Sequence, residues 1–155
     1  MRGTLLILAL LIAGLAPGAA RGAESEAPDS IARVQRLADE GDAEMQYRLG
    51  LWNFWALPSA RDLGLALYWF CRAAERGHRA AQIHLGLMYW TGNGLPRDPL
   101  QAYLWFSLAA RTAPGIAAEY RERMAHDHLT KAQVAMARAL EAAWLRTPSC
   151  PVEAS

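Results

Sequence analysis

The sequence contains an internal repeat with a period of 36 residues. When residues 38–73 are aligned without a gap to residues 74–109, 12 of the 36 positions are identical. The identical pairs are Ala38/Ala74, Gly41/Gly77, Gln46/Gln82, Leu49/Leu85, Gly50/Gly86, Leu51/Leu87, Arg61/Arg97, Asp62/Asp98, Ala66/Ala102, Trp69/Trp105, Phe70/Phe106 and Ala73/Ala109. A period of this length is typical of helical solenoids, in which each unit buries its apolar face against the next. The chain is therefore expected to be a stack of similar units.

A Leu-Gly pair marks the first helix of each unit, at Leu49-Gly50 and at Leu85-Gly86. A glycine inside a helix costs about 1 kcal/mol relative to alanine, so a compensating contact is expected. We predict that a bulky side chain from the second helix of the unit approaches each glycine closely. The candidates for that side chain are Trp69 and Trp105.

The second helix of each unit begins just after an aspartate, Asp62 or Asp98. An aspartate in this position can accept hydrogen bonds from the free backbone N–H groups at the helix start. Pro99 suits the first helical position of the second unit. Residues 66–74 and 102–110 then place alanine, tryptophan and alanine at helical spacing on one apolar stripe. We assign the aromatic residues of this stripe to the core.

Helical patterns continue on both sides of the two complete units. Residues 30–39 form a leading half-unit, and residues 110–146 form a divergent closing pair in which Thr130 and Gln133 make a capping-box pattern. Together these segments predict an all-α fold, a right-handed αα solenoid of about seven helices over residues 30–146.

The N-terminal segment, residues 1–23, has the pattern of a secretory signal peptide. A basic start is followed by an uncharged, leucine-rich run and then by small residues. The run is too short to span a bilayer, which needs about 20 apolar residues; an uncleaved anchor or a buried helix is the alternative. We expect cleavage between Ala19 and Ala23, no stable membrane span afterwards, and a periplasmic or secreted protein. A short linker (24–29) and a C-terminal tail (147–155) would flank the repeats.

The second unit resembles a Sel1-like repeat, a relative of the tetratricopeptide repeat. It carries an A-x-x-x-LG-x-x-Y motif that ends at Tyr89, a G-x-G loop at Gly92 and Gly94, then Asp98 and an A-x-x-W-x-x-x-AA motif. The tetratricopeptide period of 34 residues fits less well. The resemblance extends over residues 30–146.

The first unit departs from this pattern at three positions. Asn53 stands in place of the expected tyrosine, and Ala56 and Pro58 replace the loop glycines, so this loop is expected to turn differently. The resemblance implies a solenoid adaptor that holds other proteins together. It also implies that the partner is another protein or a peptide, which export would place in the cell envelope.

No pattern in the sequence predicts catalysis, a cofactor or a metal site. His126 and His128 form the one closely spaced histidine pair, and side chains two residues apart on a helix point in different directions. The chain contains neither Gly-x-Ser-x-Gly nor Cys-x-x-Cys. Its formal charge of +1 becomes −1 when Arg2 and Arg21 leave with the leader. This balance gives no reason to expect nucleic-acid binding.

The chain has two cysteines, Cys71 and Cys150. An exported protein enters a compartment in which disulfides persist. Two interpretations stay open: an intramolecular disulfide, or two thiols that do not pair.

The candidate partner surface lies on the first helices of the units, which usually line the concave side of stacked αα repeats. Its outward stripe consists of Glu44, Arg48, Trp52, His84 and Met88, with Trp55 near the loop. Tryptophan and arginine are enriched at binding hot spots, and methionine suits an adaptable contact surface. For Trp52 and Trp55 the alternative, which we favour, is that they fill the core between repeats, and Trp90 is assigned to that core more strongly.

Two functions fit these features. The first is a non-catalytic adaptor of the cell envelope that binds a protein segment. The second is a protein that binds a cell-wall polymer such as peptidoglycan, whose sugars and peptide stems would contact aromatic and arginine side chains. A hydrolase acting on such a polymer is a third, less favoured alternative, because the sequence offers no catalytic set. The family resemblance favours the adaptor.

Overall fold

The computed structural model describes residues 30–144 and Cys150, which form seven α-helices and no β-strand. The helices are α1 Ile31–Asp39, α2 Ala43–Trp55, α3 Leu63–Glu75, α4 Arg79–Thr91, α5 Pro99–Thr112, α6 Gly115–Asp127 and α7 Lys131–Trp144. The chain divides between Arg33 and Val34 into two units, and the solenoid is the one that begins at Val34. The all-α repeat fold is confirmed. The predicted signal peptide, linker and tail lie outside the described residues, apart from Cys150.

The helices from α2 to α6 pack successively in chain order. Helix α2 packs on α3, α3 on α4, α4 on α5 and α5 on α6, while α7 returns to pack on α5. The first repeat is thus the pair α2 and α3, and the second repeat is the pair α4 and α5. Both α6 and α7 therefore pack on α5, the second helix of the second repeat.

The three side-chain caps predicted from the sequence are present. Asp62 accepts a hydrogen bond of 2.8 Å from the backbone N–H three residues later, at the start of α3. Asp98 accepts two such bonds, of 2.9 and 3.1 Å, at the start of α5. At α7 the backbone N–H of Thr130 donates to Gln133 at 2.9 Å, and the hydroxyl of Thr130 accepts from the backbone N–H of Gln133 at 3.2 Å. Each cap satisfies N–H groups that the helix itself leaves without a partner.

The two mid-helix glycines lie against phenylalanine rings, and the prediction of tryptophan neighbours is wrong. A Cβ atom on Gly50 would lie 2.5 Å from the ring of Phe70, and one on Gly86 would lie 2.4 Å from the ring of Phe106. Each phenylalanine follows its tryptophan by one position, which turns it by about 100° around the helix. The phenylalanine therefore faces the glycine of its own repeat. The preceding tryptophans, Trp69 and Trp105, are buried as well.

Two buried glutamines join the repeats to the helices that precede them. The side-chain amide of Gln46 donates to the carbonyl of Ala38 at 2.8 Å, and that of Gln82 donates to the carbonyl of Ala74 at 3.0 Å. Both glutamines are almost fully buried. A buried donor with a good acceptor stabilises the fold, whereas an unpaired one would cost about 1–3 kcal/mol. This pairing explains why glutamine stands at the same position of both repeats.

The C-terminal end of the chain is fastened to the first repeat. Cys71 of α3 and Cys150 form a disulfide, with their Cα atoms 5.8 Å apart and their positions separated by 79 in sequence. Trp144, at the end of α7, packs its ring edge-on to that of Trp105, with centroids 4.8 Å apart. Cys150 is therefore held to α3 by a covalent bond, and the end of α7 is held by aromatic packing in the core.

Candidate partner-binding surface

The outer end of α2 exposes two tryptophans. Trp55 is 68% exposed and Trp52 is 43% exposed, so neither fills the core between repeats. Leu57, in the loop that follows, extends this exposed apolar surface. These side chains lie on the first repeat, where the loop departs from the repeat pattern.

Met88, the second-repeat equivalent of Trp52, is only 1% exposed, and the prediction that it lies on the outward stripe is wrong. Gly94 in the following loop approaches it so closely that a Cβ atom there would lie 3.2 Å from the methyl carbon of Met88. This approach requires the positive φ of 82° that Gly94 adopts, a conformation that favours glycine. The glycine-containing loop therefore covers Met88.

A groove lies between α2 and α4, beside Trp55. Its volume is about 290 Å³. Its apolar lining consists of Phe54, Trp55, Leu63, Leu87 and Met88, and its polar lining consists of Arg61, His84, Thr91 and Asn93. Pockets for whole small molecules usually measure about 300–1,000 Å³. This space, the α2–α4 groove, is therefore suited to one or two side chains of a partner.

His84 lines the α2–α4 groove in its neutral form. Its ring stacks on that of Phe70 with centroids 5.0 Å apart. Its Nδ1 lies 3.0 Å from the carbonyl oxygen of Ala80, and because a carbonyl can only accept, Nδ1 carries the proton. Burial lowers the pKa of His84 below its usual value near 6.5. In this form Nε2 keeps its lone pair and can accept a hydrogen bond.

A polar network adjoins His84 on α2 and α4. Glu44 accepts from Arg48 at 3.0 Å and from the Nε2–H of His78 at 3.0 Å. The hydrogen bond from His78, and then that from Arg48, holds the pKa of Glu44 below its usual range. His78 also accepts from the backbone N–H of Ala81 at 3.2 Å and so caps α4. Glu44 and Arg48, both predicted as partner contacts, thus belong to an exposed ion-pair network.

Six of the nine residues that line the groove were not among the predicted partner contacts: Phe54, Arg61, Leu63, Leu87, Thr91 and Asn93. Tyr47, whose ring stacks on that of His78 with centroids 4.5 Å apart, was not predicted either. The identity of Arg61 with its repeat equivalent was visible in the alignment. What the alignment could not reveal is that the two arginines have different surroundings.

The other histidines lie at helix ends, away from this groove. His128 caps the C-terminus of α6 and accepts a hydrogen bond of 3.1 Å from the indole N–H of Trp90. His126 lines a second cavity, of about 540 Å³, together with Glu122, Lys131 and Arg138. Across residues 30–144 no three His, Cys, Asp or Glu side chains are grouped as metal ligands would be. No helix in that range is long and apolar enough to cross a membrane.

The family model of the Sel1 repeat matches residues 43–78 and 79–111 of this chain. An ERAD-associated E3 ubiquitin-protein ligase component of Arabidopsis thaliana is 32% identical over 78 residues, which span 50% of this chain and 12% of that protein. The crystal structure of a protective antigen present in uropathogenic Escherichia coli strains, which displays an SLR fold, matches at 26% identity with a TM-score of 0.64. That match covers 79% of this chain and 29% of the antigen. A Sel1 repeat protein from Oxalobacter formigenes has a similar fold, with 22% identity, a TM-score of 0.57 and coverage of 77% and 94%.

This chain is a Sel1-like repeat protein. The two matched repeats begin at the first residues of α2 and α4, so each repeat is one helix pair of the solenoid. Sel1 repeats indicate a protein–protein interaction scaffold, and proteins built from them are generally non-catalytic. The chain spans only a small part of the plant relative and of the bacterial antigen.

Proposed function

We propose that this protein is an exported, non-catalytic adaptor that binds a segment of another protein across α2 and α4. The observation that carries this proposal is the exposure of Trp52, Trp55 and Leu57 beside the α2–α4 groove. Contiguous exposed apolar surface marks interaction sites, and tryptophan is the residue type most enriched at hot spots.

The size of the expected effect follows from the exposed area of Trp55. Covering its exposed part would remove roughly 130 Å² of surface from water and stabilise a complex by about 3 kcal/mol before the cost of association. One such residue in a well-packed interface can change affinity by about a hundredfold. Trp55 is therefore the most informative single position for testing partner binding.

Export is supported by the N-terminal sequence pattern and by the disulfide between Cys71 and Cys150. Disulfides form and persist in oxidising compartments such as the periplasm and are rare in reducing ones. Export predicts that the protein recovered from cells has lost its first 19 to 23 residues, lies in the envelope or medium, and contains no free thiol. Intact-mass spectrometry of fractionated cells tests all three points; recovery of the full-length chain with two free thiols would contradict export.

The adaptor function is tested by affinity capture from the envelope fraction. The bait is the disulfide-bonded protein, beside Trp55→Ala and a matched control, Met136→Ala, which removes an apolar side chain of 54% exposure from α7. Circular dichroism first establishes that all three baits are equally helical. We expect a discrete polypeptide that the wild type and Met136→Ala retain and Trp55→Ala loses. Equal retention by all three baits would show that the partner does not use this surface.

A cell-wall polymer is the second candidate ligand, and the exposed tryptophans also favour it. A sugar ring can stack on a bare aromatic face, and Trp55 offers one at 68% exposure. This candidate predicts that the protein co-sediments with purified, protein-free wall sacculi and that Trp55→Ala abolishes the effect. Capture of a defined polypeptide without co-sedimentation would favour the adaptor.

A further inference from the structure

Arg61 and Arg97 occupy the same position of the two repeats but have different surroundings. The Nε–H of Arg97 donates to the carbonyl of Trp90 at 2.9 Å, and a terminal nitrogen of its guanidinium lies 3.2 Å from Nδ1 of His128. Arg97 thereby ties its loop to the end of α4. Arg61 lines the α2–α4 groove instead, and within residues 30–144 no carboxylate or carbonyl binds its guanidinium.

The charge of Arg61 is uncompensated at the α2–α4 groove. It is the one charged residue of the lining, because the remaining lining residues are apolar, hydroxyl, amide or a neutral imidazole. The next residue, Asp62, directs its carboxylate to the backbone N–H of Leu65 as the cap of α3. A guanidinium can bind a carboxylate through two parallel hydrogen bonds, a geometry that the ammonium group of lysine does not match. The groove therefore combines an apolar floor with a site for a carboxylate.

We infer that the α2–α4 groove binds a protein segment in which a large apolar side chain stands next to an aspartate or glutamate. The apolar side chain would lie against Trp55 and Leu87, and the acidic side chain would pair with Arg61. His84 adds a requirement, because its Nε2 lone pair accepts a hydrogen bond from a backbone N–H of the segment. This inference rests on the proposed function and names the chemistry of the partner.

The carboxylate belongs to a side chain within the segment, not to its C-terminus. Trp52 and Leu57, which precede and follow Trp55 in sequence, are exposed and are not part of the groove lining, so they extend the apolar surface beyond it. A bound chain that covers this surface runs on beyond Arg61. A terminal carboxylate, whether of a protein or of a wall peptide stem, would leave part of the surface uncovered.

The test uses a display library of random 12-residue peptides, selected separately on the disulfide-bonded wild-type protein, on Arg61→Glu and on Arg111→Glu. Arg111 is an exposed arginine near the end of α5, distant from the groove in sequence and with no role in it. Affinities of the enriched peptides, made with free and with amidated C-termini, are then measured by fluorescence anisotropy for the wild type, Arg61→Glu and Trp55→Ala. Circular dichroism confirms that each variant is folded.

We expect the wild type and Arg111→Glu to enrich a large apolar residue next to Asp or Glu. Replacing that acid by its amide should weaken binding at least about tenfold, and Arg61→Glu should enrich Lys or Arg at the same place. Peptides that need Trp55 but show no preference for acid would overturn this inference and leave the proposed function standing. Peptides that bind only with a free C-terminal carboxylate would overturn the choice of a side chain. Selection of no peptide, or of peptides indifferent to Trp55→Ala, would overturn both proposals.

Discussion

The two repeats share their fold but differ at the outer ends of their first helices. In the second repeat Met88 is buried under Gly94, and Arg97 is bonded to the carbonyl of Trp90. In the first repeat the equivalent of Met88 is a half-exposed tryptophan, the equivalent loop lacks glycine, and Arg61 lines a groove. The loop therefore covers the end of the first helix in the second repeat and leaves it exposed in the first repeat. We call the first repeat the open repeat and the second the closed repeat.

The difference shows which part of the repeat is structural and which part is available for binding. Positions that hold the helix pair together are identical in both copies: the glycine, the phenylalanine that covers it, the buried glutamine and the aspartate cap. The two loop glycines, Gly92 and Gly94, are in contrast replaced in the first repeat. A loop with glycine at a positive φ folds back on its helix, whereas Ala56 and Pro58 leave the end of α2 uncovered. Local loop chemistry therefore decides which repeat presents its aromatic residues.

The largest effect is expected from breaking the covalent bond between Cys71 of the open repeat and Cys150. The disulfide spans 79 residues, and by chain entropy its loss should cost about 4 kcal/mol. Urea unfolding of the wild type with and without reductant measures this cost. The double variant Cys71→Ser/Cys150→Ser should match the reduced wild type and ignore reductant; Ser107 already occupies the equivalent of Cys71 in the second repeat. An unchanged midpoint for the reduced wild type would contradict this account.

Both repeats should be equally intolerant of a side chain at the helix crossing. Gly50→Ala and Gly86→Ala place a methyl group inside the rings of Phe70 and Phe106, and overpacking of this kind costs about 2 kcal/mol. Gly64→Ala is the matched control, because its Cβ atom meets only the carboxylate of its own cap residue, at 3.4 Å. It should leave stability unchanged or raise it by about 0.5 kcal/mol. Chemical denaturation of the three variants decides whether the loss of stability comes from the close contact between the helices or from replacing any helical glycine.

The two arginines should differ in their contribution to stability. Arg97→Ala removes a charge-assisted hydrogen bond to a backbone carbonyl and should destabilise the protein by about 1 kcal/mol. Arg61→Ala should lie within about 0.5 kcal/mol of the wild type, as is usual for exposed positions without structural contacts. Equal losses from both variants, measured by urea unfolding, would mean that Arg61 has a structural role in its loop.

The smallest change in stability is expected when the pH is lowered. Because burial lowers the pKa of His84, the unfolded chain binds a proton at this residue before the folded protein does. Stability should therefore fall as pH drops below about 6.5, and less so in His84→Gln. Glu44 acts in a separate range, since its lowered pKa removes stability only as pH falls below its usual value of 4.5. Thermal unfolding of the wild type and of His84→Gln across this pH range measures the difference.

The sequence predicted the fold better than it predicted the surface. Period, caps and apolar stripes specified seven helices and their order because these signals are local and repeated. The neighbours of Gly50 and Gly86 were misassigned because adjacent aromatic residues differ by one step around the helix, and sequence spacing alone does not tell which one faces inward.

Which side chains are exposed at the candidate site depends on the conformation of the loops. Met88 was predicted to be exposed from its helical position, but it belongs to the main hydrophobic core and Gly94 lies close to its methyl group. Arg61 could be recognised in the sequence as a repeated residue. Its place in the groove depends on its lacking the contacts that Arg97 makes with Trp90 and His128. The sequence signal for the site was therefore the loss of the loop glycines. Ala56 and Pro58, which replace them, identify the loop that leaves the end of α2 exposed.

The central claim is that the open end of the first repeat receives the partner. Its most direct test is photo-crosslinking in cells that make the protein, with a photoreactive phenylalanine analogue at position 52 or, as a control of similar exposure (43% against 41%), at position 140 of α7. We predict one discrete polypeptide adduct from position 52, lost on Arg61→Glu, and none from position 140. Adducts from position 140 alone, or the same adduct from both positions, would contradict the claim.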